Sequence, residues 1–174
     1  MSSPTTDVKT SKEILSWEWL VQFRRTIHIY PEPSFEEFVT AKMVKKALIE
    51  EAGMSETDIR CNLGKDDNTG TGIIVDIMGE GSDIIVSKVN DPKIRLILFR
   101  ADMDALRMKE DNTADEIPYR SIRSNYAHMC GHDGHVAALI GLAIILNKSN
   151  FKKLIPRNVG ARLMFQPAEE YIGG

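Results

Sequence analysis

The chain has 174 residues, of which 43% are hydrophobic and 27% charged, a composition typical of a folded globular domain and not of a disordered segment. The formal net charge is -3 at pH 7 and the basic residues are dispersed, which argues against a nucleic-acid-binding protein. No stretch has the apolar core of a signal peptide or the roughly 20 apolar residues of a membrane helix, so we expect a cytoplasmic protein. In that compartment Cys61 and Cys130 are expected to be free thiols or metal-bound thiolates.

Two helices are predicted in the first third of the chain. After a polar leader over residues 1–15, apolar residues at helical spacing predict a helix over residues 16–29, which two prolines end. Ser34 then has the position of an N-cap, with Glu37 three residues later, and predicts a second helix that runs to Gly53.

Strands and a third helix follow. Between residues 102 and 128 the chain is charged and irregular, and loops of this length inside a compact domain are usually functional. A broad apolar face predicts a helix over residues 134–147. Alternating helices and strands indicate an α/β layered domain with polar strand ends gathered at one edge of its sheet. Segments rich in Ile, Val or Leu predict strands at residues 72–78, 84–89, 94–100 and 159–165.

The segment C-G-H-D-G-H offers a thiolate and two imidazoles within six residues, at Cys130, His132 and His135. Such donors can surround a borderline-soft cation such as zinc. The alternative is an ordinary helix N-terminus, in which Asp133 caps the amide groups and the histidines are exposed. A structural zinc knuckle is less favoured, because it needs four ligands in short paired spacings and Cys61 lies far away in the sequence.

Two carboxylate pairs also follow strands. On an extended backbone Glu169 and Glu170 would point to opposite sides, so that one binds a metal and the other faces an attacking water, although such a pair alone is usually a solvated surface turn. Asp102 and Asp104 would share one face of an extended segment and either orient a ligand histidine or hold a metal. An N-cap or a surface turn is the alternative. For His28 we expect a structural role.

Four motifs resemble those of the amidohydrolases that include hippurate hydrolases, bacterial N-acyl-amino-acid amidohydrolases and plant auxin-conjugate hydrolases. This family is related to aminoacylases and carboxypeptidase-type metallopeptidases. The order and rough spacing of the motifs agree with the family over nearly the whole chain. The motifs are R-R-T-I-H-I-Y-P-E-P-S-F-E-E (24–37), F-R-A-D-M-D-A-L (99–106), H-M-C-G-H-D-G-H (128–135) and F-Q-P-A-E-E (165–170).

The resemblance implies a three-layer α/β catalytic domain that holds two divalent cations, with zinc favoured and manganese, cobalt or nickel possible. In full-length relatives a smaller lid and dimerisation domain interrupts this domain, and a homodimer is expected. Carried onto this sequence, the resemblance makes Cys130, His132 and Glu170 metal ligands. It makes Glu169 the general base and Asp104 a residue that orients the metal site.

The sequence departs from the family at Arg107, where proline is usual, and at Met129, where alanine is usual. Further histidine ligands of the family lie beyond F-Q-P-A-E-E. We therefore expect residues 16–174 to be the N-terminal part of a catalytic domain without its lid, weakly active or inactive alone, and prone to aggregation or early melting.

The expected substrate is an N-acyl amino acid or a small peptide, with no nucleic-acid or membrane partner. One alternative is a non-catalytic metal-binding or interaction module that retains half of the site. Another is a cysteine-dependent hydrolase or redox protein that uses Cys130.

Overall fold

A computed structural model describes residues 15–64, 69–82, 93–148 and 150–171. Residues 1–14 of the predicted leader and the strand predicted at residues 84–89 lie outside this range. The elements in chain order are helix α1 (Trp17–Ile29), helix α2 (Phe38–Glu50), a 3₁₀ turn (Glu56–Asp58), strands β1 (Ile59–Leu63), β2 (Gly72–Met78) and β3 (Arg95–Asp102), helices α3 (His132–Lys148) and α4 (Phe151–Leu154), and strand β4 (Val159–Gln166).

Helix α1 begins where the sequence predicted. The side chain of Ser16 accepts a hydrogen bond from the amide of Trp19, which satisfies one of the free donors at the helix N-terminus. Leu20, Phe23 and Ile27 are buried along one face of the helix. The prediction of this helix from apolar spacing is therefore confirmed.

Helix α2 begins later than predicted, and Ser34 is not its N-cap. Phe35 has a positive φ of 65°, which turns the chain and delays the helix start to Phe38. The side chain of Glu32 accepts hydrogen bonds from the amides of Val39 (3.0 Å) and Thr40 (2.8 Å), so a carboxylate from outside the helix satisfies its first donors. The hydroxyl of Ser34 instead donates to Asp104.

The strands form one mixed sheet in the order β1-β2-β4-β3. β2 is antiparallel to both β1 and β4, whereas β3 and β4 are parallel. The strands predicted at residues 72–78, 94–100 and 159–165 are confirmed as β2, β3 and β4, with β3 and β4 ending one or two residues later. β1 was not predicted, although its five residues alternate between apolar and polar; its pairing with β2 is irregular between Arg60 and Leu63, where Asn62 has a positive φ of 61°.

The three long helices pack on one face of the sheet and bury a single apolar core. The described residues therefore form two layers of a mixed α/β fold, in agreement with the predicted fold class. None of their helices combines the length and the hydropathy that crossing a bilayer requires. The core side chains of the central strands are Ile73, Val75, Ile77, Ala161, Leu163 and Phe165, and those of the helices include Phe23, Ile27, Val44, Leu48, Val136 and Ile140.

β3 is an edge strand in the described sheet, and its apolar side chains are not covered. Ile97 is 57% exposed and Leu98 is 54% exposed. A strand edge with exposed apolar side chains is typical of a surface that another segment normally covers. This arrangement agrees with the expectation of an incomplete sheet.

Parallel pairing brings the ends of β3 and β4 to the same edge of the sheet. The register is continuous along both strands, and their last residues, Asp102 and Gln166, lie side by side. The amide of Met103 still donates to the carbonyl of Gln166 at 2.9 Å. The segments that follow the two strands therefore start next to each other, beside the N-terminus of α3.

On the face of the sheet opposite the helices, Asp76 of β2 binds two arginines of the neighbouring strands. Arg162 of β4 donates two hydrogen bonds of 2.8 Å to the two carboxylate oxygens, and Arg60 of β1 donates a third of 2.9 Å. The Asp76 side chain is fully buried, whereas the Arg60 side chain is 44% exposed. One buried carboxylate thus connects three strands.

Replacing Asp76 with alanine is expected to lower the free energy of unfolding by about 2 kcal/mol. This is less than the ~3–5 kcal/mol for breaking a fully buried pair, because both arginines can reach water. Urea denaturation measures the change. The control is Glu50→Ala, which removes the exposed Lys46–Glu50 pair and should cost less than about 0.5 kcal/mol. Equal effects of the two substitutions would contradict the prediction.

Candidate metal centre

Three polar segments meet at the edge of the sheet where β3 and β4 end. They are the residues after β3, the N-terminus of α3 and the turn after β4. In this region the ligand atoms of Cys130, His132 and Glu170 all lie within 4.8 Å of one another. The structure therefore brings together the three residues that the sequence motifs proposed as metal ligands, although 38 positions separate His132 from Glu170 in the sequence.

The imidazole of His132 is buried and held in one orientation. Its Nδ1 lies 2.9 Å from the backbone carbonyl oxygen of Asp104, so Nδ1 carries the hydrogen and donates it. Its Nε2 lies 3.8 Å from a carboxylate oxygen of Glu169 and 3.8 Å from one of Glu170. This orientation leaves Nε2 to face the carboxylates as a metal-binding atom.

Charge around His132 favours its protonated form. Burial acts to lower the pKa of His132, but hydrogen bonds to Asp104 and the charges of Asp102 and Asp104 raise this pKa to about 9. The carboxylates around His132 thus make the surroundings of its ring favourable to positive charge. A cation that binds at Nε2 must displace that proton.

The carboxylate of Asp104 binds the backbone of the turn after β4. One oxygen accepts a hydrogen bond from the amide of Glu169 (3.0 Å), and the other accepts from the amide of Glu170 (2.9 Å) and from the hydroxyl of Ser34 (2.7 Å). Burial acts to raise the pKa of Asp104, but His132 and these donors lower it to about 2. Asp104 therefore contacts both a proposed ligand and the Glu169–Glu170 backbone, which supports its predicted orienting role.

Glu169 and Glu170 lie in a turn and not on the extended backbone that their position after a strand suggested. Ala168 has a positive φ of 52°, which reverses the direction of the chain directly after Pro167. Both glutamate side chains consequently reach His132 from the same side. Their side chains are 34% and 25% exposed, so both carboxylates remain in contact with solvent.

The thiol of Cys130 is exposed beside Glu170. A hydrogen bond to the Glu170 carboxylate, together with burial and neighbouring carboxylates, raises the pKa of Cys130. A cysteine nucleophile needs the opposite shift, towards a thiolate at neutral pH. The surroundings of Cys130 therefore disfavour the cysteine-dependent alternative and suit a thiol that loses its proton only to a metal.

A second group of three donors, formed by Asp102, His132 and His135, shares His132 with the first. The carboxylate of Asp102 lies 4.0 Å from Nδ1 of His135, and its other oxygen is buried without a hydrogen-bond partner among the described residues. These donors lie at the same sheet edge as the first group. Together the two groups provide more ligand atoms than one cation needs.

His28 is a structural residue, as the sequence indicated. It is buried between the carboxylates of Asp133 (2.8 Å) and Glu110 (3.2 Å), and Arg24 also binds Asp133 at 2.6 Å. The hydrogen bond to Asp133 is the largest influence on the pKa of His28, which is raised. This cluster ties α1 and the long irregular loop to the first turn of α3, the turn that carries His132.

Two buried carboxylates near the site, Glu32 and Glu37, had not been assigned roles around the metal centre. Both belong to the motif at residues 24–37, and this motif is the sequence feature that could have indicated a role for them near the metal centre. Glu37 had been interpreted as the partner of a Ser34 cap. In the structure its carboxylate binds the amide of Ala168 at 2.8 Å, across the sheet edge from its own helix.

Comparison with known proteins agrees with this arrangement. Residues 98–174 match the family Peptidase family M20/M25/M40. The chain is 38% identical over 153 residues to thermostable carboxypeptidase 1 of Saccharolobus solfataricus, a match that covers 88% of this chain and 32% of the relative. It is 40% identical over 153 residues to the N-acetyl-L-cysteine deacetylase of Bacillus subtilis, covering 87% of this chain and 30% of that protein.

Among solved structures, the fold is similar to that of the Bacillus subtilis YXEP protein, a dinuclear metal-binding peptidase from the M20 family. The TM-score is 0.65 at 31% sequence identity, and the match covers 88% of this chain and 35% of that protein. The chain spans about a third of the length of the curated relatives it matches. The motifs, the fold and these matches together show that the chain is similar to peptidase family M20/M25/M40, whose model matches residues 98–174.

Proposed function

We propose that the protein hydrolyses the amide bond of N-acyl amino acids or small peptides with the help of two divalent cations. The observation that carries this proposal is the convergence of Cys130, His132 and Glu170, with Glu169 beside them, at one edge of the sheet. Of the two relatives compared, one is named a deacetylase of N-acetyl-L-cysteine and the other a carboxypeptidase. Both names describe hydrolysis of an amide bond in a small substrate or peptide.

The donor atoms fit divalent cations. A thiolate, an imidazole and a carboxylate suit zinc, and they also accept manganese, cobalt or nickel. The related YXEP protein binds two metals, which supports a dinuclear centre here. When bound, divalent cations lower the pKa of a coordinated water and polarise the scissile carbonyl group.

The residues of this chain would then act in the following way. Cys130 and His132 bind through Sγ and Nε2 after each has lost a proton, and Glu170 binds through its carboxylate. Glu169 accepts a proton from the attacking water at a carboxylate oxygen and returns it to the nitrogen of the leaving amine. Asp104 keeps the Glu169 and Glu170 amides and the His132 ring in place during both proton transfers.

In the non-catalytic alternative the chain keeps a half-site that binds metal but does not hydrolyse a substrate. Turnover of substrate therefore distinguishes the two hypotheses. The homodimer of full-length relatives and the cytoplasmic location remain predictions from the sequence.

Replacing Glu169 with glutamine is expected to abolish proton transfer and leave metal binding intact. Turnover of an N-acetyl amino acid by the metal-loaded protein should fall by about 10²- to 10⁴-fold, the usual contribution of a general base. The matched control is Glu116→Gln, which changes an exposed loop glutamate that belongs to neither donor group. If the unsubstituted protein binds one or two metal ions per chain but does not turn over the substrate, the result would support the non-catalytic alternative.

Replacing Cys130 with serine is expected to weaken binding of Cd²⁺ by more than about 10-fold, since even residues that only orient ligands contribute 10- to 100-fold. The ultraviolet charge-transfer band between sulfur and Cd²⁺ should also disappear. Cys61→Ser is the matched control, because Cys61 lies in β1 outside both donor groups. A band that survives in the Cys130 variant and disappears in the Cys61 variant would refute the ligand assignment.

Alkylation by iodoacetamide separates a metal ligand from a catalytic cysteine. We expect Zn²⁺ to protect Cys130, and a chelator to restore its modification, because coordination occupies the thiolate. The half-buried Cys61, whose pKa burial raises, should react slowly in both conditions and serves as an internal control. Rapid alkylation of Cys130 regardless of metal would favour the cysteine-dependent alternative.

A further inference from the structure

Glu37 is a fully buried carboxylate that is not one of the proposed metal ligands. It contacts the turn after β4, which carries the proposed ligand Glu170. Its relative exposure is 0%. One oxygen accepts hydrogen bonds from the amides of Phe35 (3.0 Å) and Ala168 (2.8 Å), and the other accepts from the hydroxyl of Thr71 at 2.5 Å. This one side chain therefore connects the start of α2, the start of β2 and the turn after β4.

Phe35 and Ala168, whose amides donate to the same oxygen of Glu37, both have a left-handed backbone conformation. Phe35 has a φ of 65° and Ala168 a φ of 52°, a region that residues other than glycine rarely adopt. Such conformations persist only where the surroundings fix them, and they are concentrated at functional sites. The carboxylate of Glu37 supplies an acceptor that both left-handed amides reach.

Three successive amides in the turn are held by two buried carboxylates. The amide of Ala168 donates to Glu37, and the amides of Glu169 and Glu170 donate to the two oxygens of Asp104. These acceptors come from different parts of the chain, so the backbone of the turn is fixed from two directions. The directions in which the Glu169 and Glu170 side chains leave the backbone are fixed with it.

Close packing supports the turn on a third side. A Cβ added to Gly64 would lie 2.7 Å from the ring of Pro167, and one added to Gly72 would lie 3.1 Å from that ring. The rings of Tyr171 and Phe35 pack edge to face at 5.8 Å. The turn after β4 is therefore positioned by the β1–β2 region and by the segment before α2.

We propose that Glu37 is a positioning residue, which sets the turn after β4 so that Glu169 and Glu170 face Cys130 and His132. This inference rests on the proposed function in taking Cys130, His132 and Glu170 as metal ligands. Glu37 acts as a hydrogen-bond acceptor for Ala168, and its negative charge is not needed for this. Glutamine can do the same, because its carbonyl oxygen can accept from both amides while its NH₂ group donates to the hydroxyl of Thr71.

Glu32 offers a matched control for the structural effect of a buried carboxylate. It lies in the same segment, is 4% exposed, and its side chain binds the first amides of α2. Among the described residues, its side chain accepts hydrogen bonds from Val39 and Thr40 and from none of the residues in the turn after β4. Removing it should destabilise the same region of the fold and leave the Glu169–Glu170 turn in place.

The test compares Glu37→Met, Glu37→Gln and Glu32→Met by Cd²⁺ titration of the sulfur charge-transfer band and by thermal melting. We expect Glu37→Met to weaken Cd²⁺ binding by about 10- to 100-fold, the range for residues that orient metal ligands. Glu37→Gln should bind Cd²⁺ like the unsubstituted chain. Glu32→Met should lower the melting temperature without weakening Cd²⁺ binding.

Equal loss of Cd²⁺ affinity in Glu37→Met and Glu32→Met would overturn the inference, as would unchanged affinity in a folded Glu37→Met. If Glu37→Met does not fold, Glu37→Met with Ala168→Gly is measured in its place. Glycine adopts a positive φ without strain, yet the turn still lacks its acceptor, so weak Cd²⁺ binding is again expected. If Cys130→Ser binds Cd²⁺ as tightly as the unsubstituted chain does, Cys130 is not a ligand. That result would refute the proposed function as well as this inference.

Discussion

The parallel pairing of β3 with β4 is the constraint on which the candidate site depends. Parallel strands end at the same edge of a sheet, and the continuous register places Asp102 beside Gln166. Two residues further on, the carboxylate of Asp104 meets the amides of Glu169 and Glu170, and its carbonyl oxygen meets His132. Antiparallel pairing of the same strands would have placed Asp104 and the two glutamates at opposite ends of the sheet. A single backbone arrangement thus assembles groups from distant parts of the sequence.

Acidic groups at this edge fall into two kinds that differ in how their charge is balanced. Asp104 and Glu37 are buried, and backbone amides and hydroxyls bind their oxygens, so their role is to hold the backbone. Glu169 and Glu170 are partly exposed and face His132, so their charge remains available to a cation or to a proton in transfer. Because buried carboxylates are costly unless hydrogen-bonded, the bonds to Asp104 and Glu37 offset the cost of burying them, whereas one oxygen of the buried Asp102 has no partner among the described residues.

Most of the regular elements, and the residues that meet at the sheet edge, could be predicted from the sequence, whereas β1 and the geometry of the turn could not. α1, β2, β4 and α3 each bury one apolar face or a continuous apolar run, β3 carries an apolar run that is largely exposed, and such patterns are visible in a single sequence. Cys130, His132 and Glu170 were proposed from motifs. The left-handed Ala168 was not predicted, because its conformation depends on Glu37, which lies 131 positions away. The spacing of Ser34 and Glu37 matches a local capping pattern, and tertiary contacts with Asp104 and Ala168 override that pattern.

The position of β4 in the sheet has a consequence for how the chain folds during synthesis. β4 lies between β2 and β3, yet it is the last of the four strands to leave the ribosome. Until it emerges, the β1–β2 hairpin and β3 have no shared partner in the described sheet, and the backbone edge of β3 that pairs with β4 stays open to other chains. The nascent polypeptide must therefore wait for β4 before the described strands can join into one sheet, and chaperones that shield unpaired strands would act during this interval.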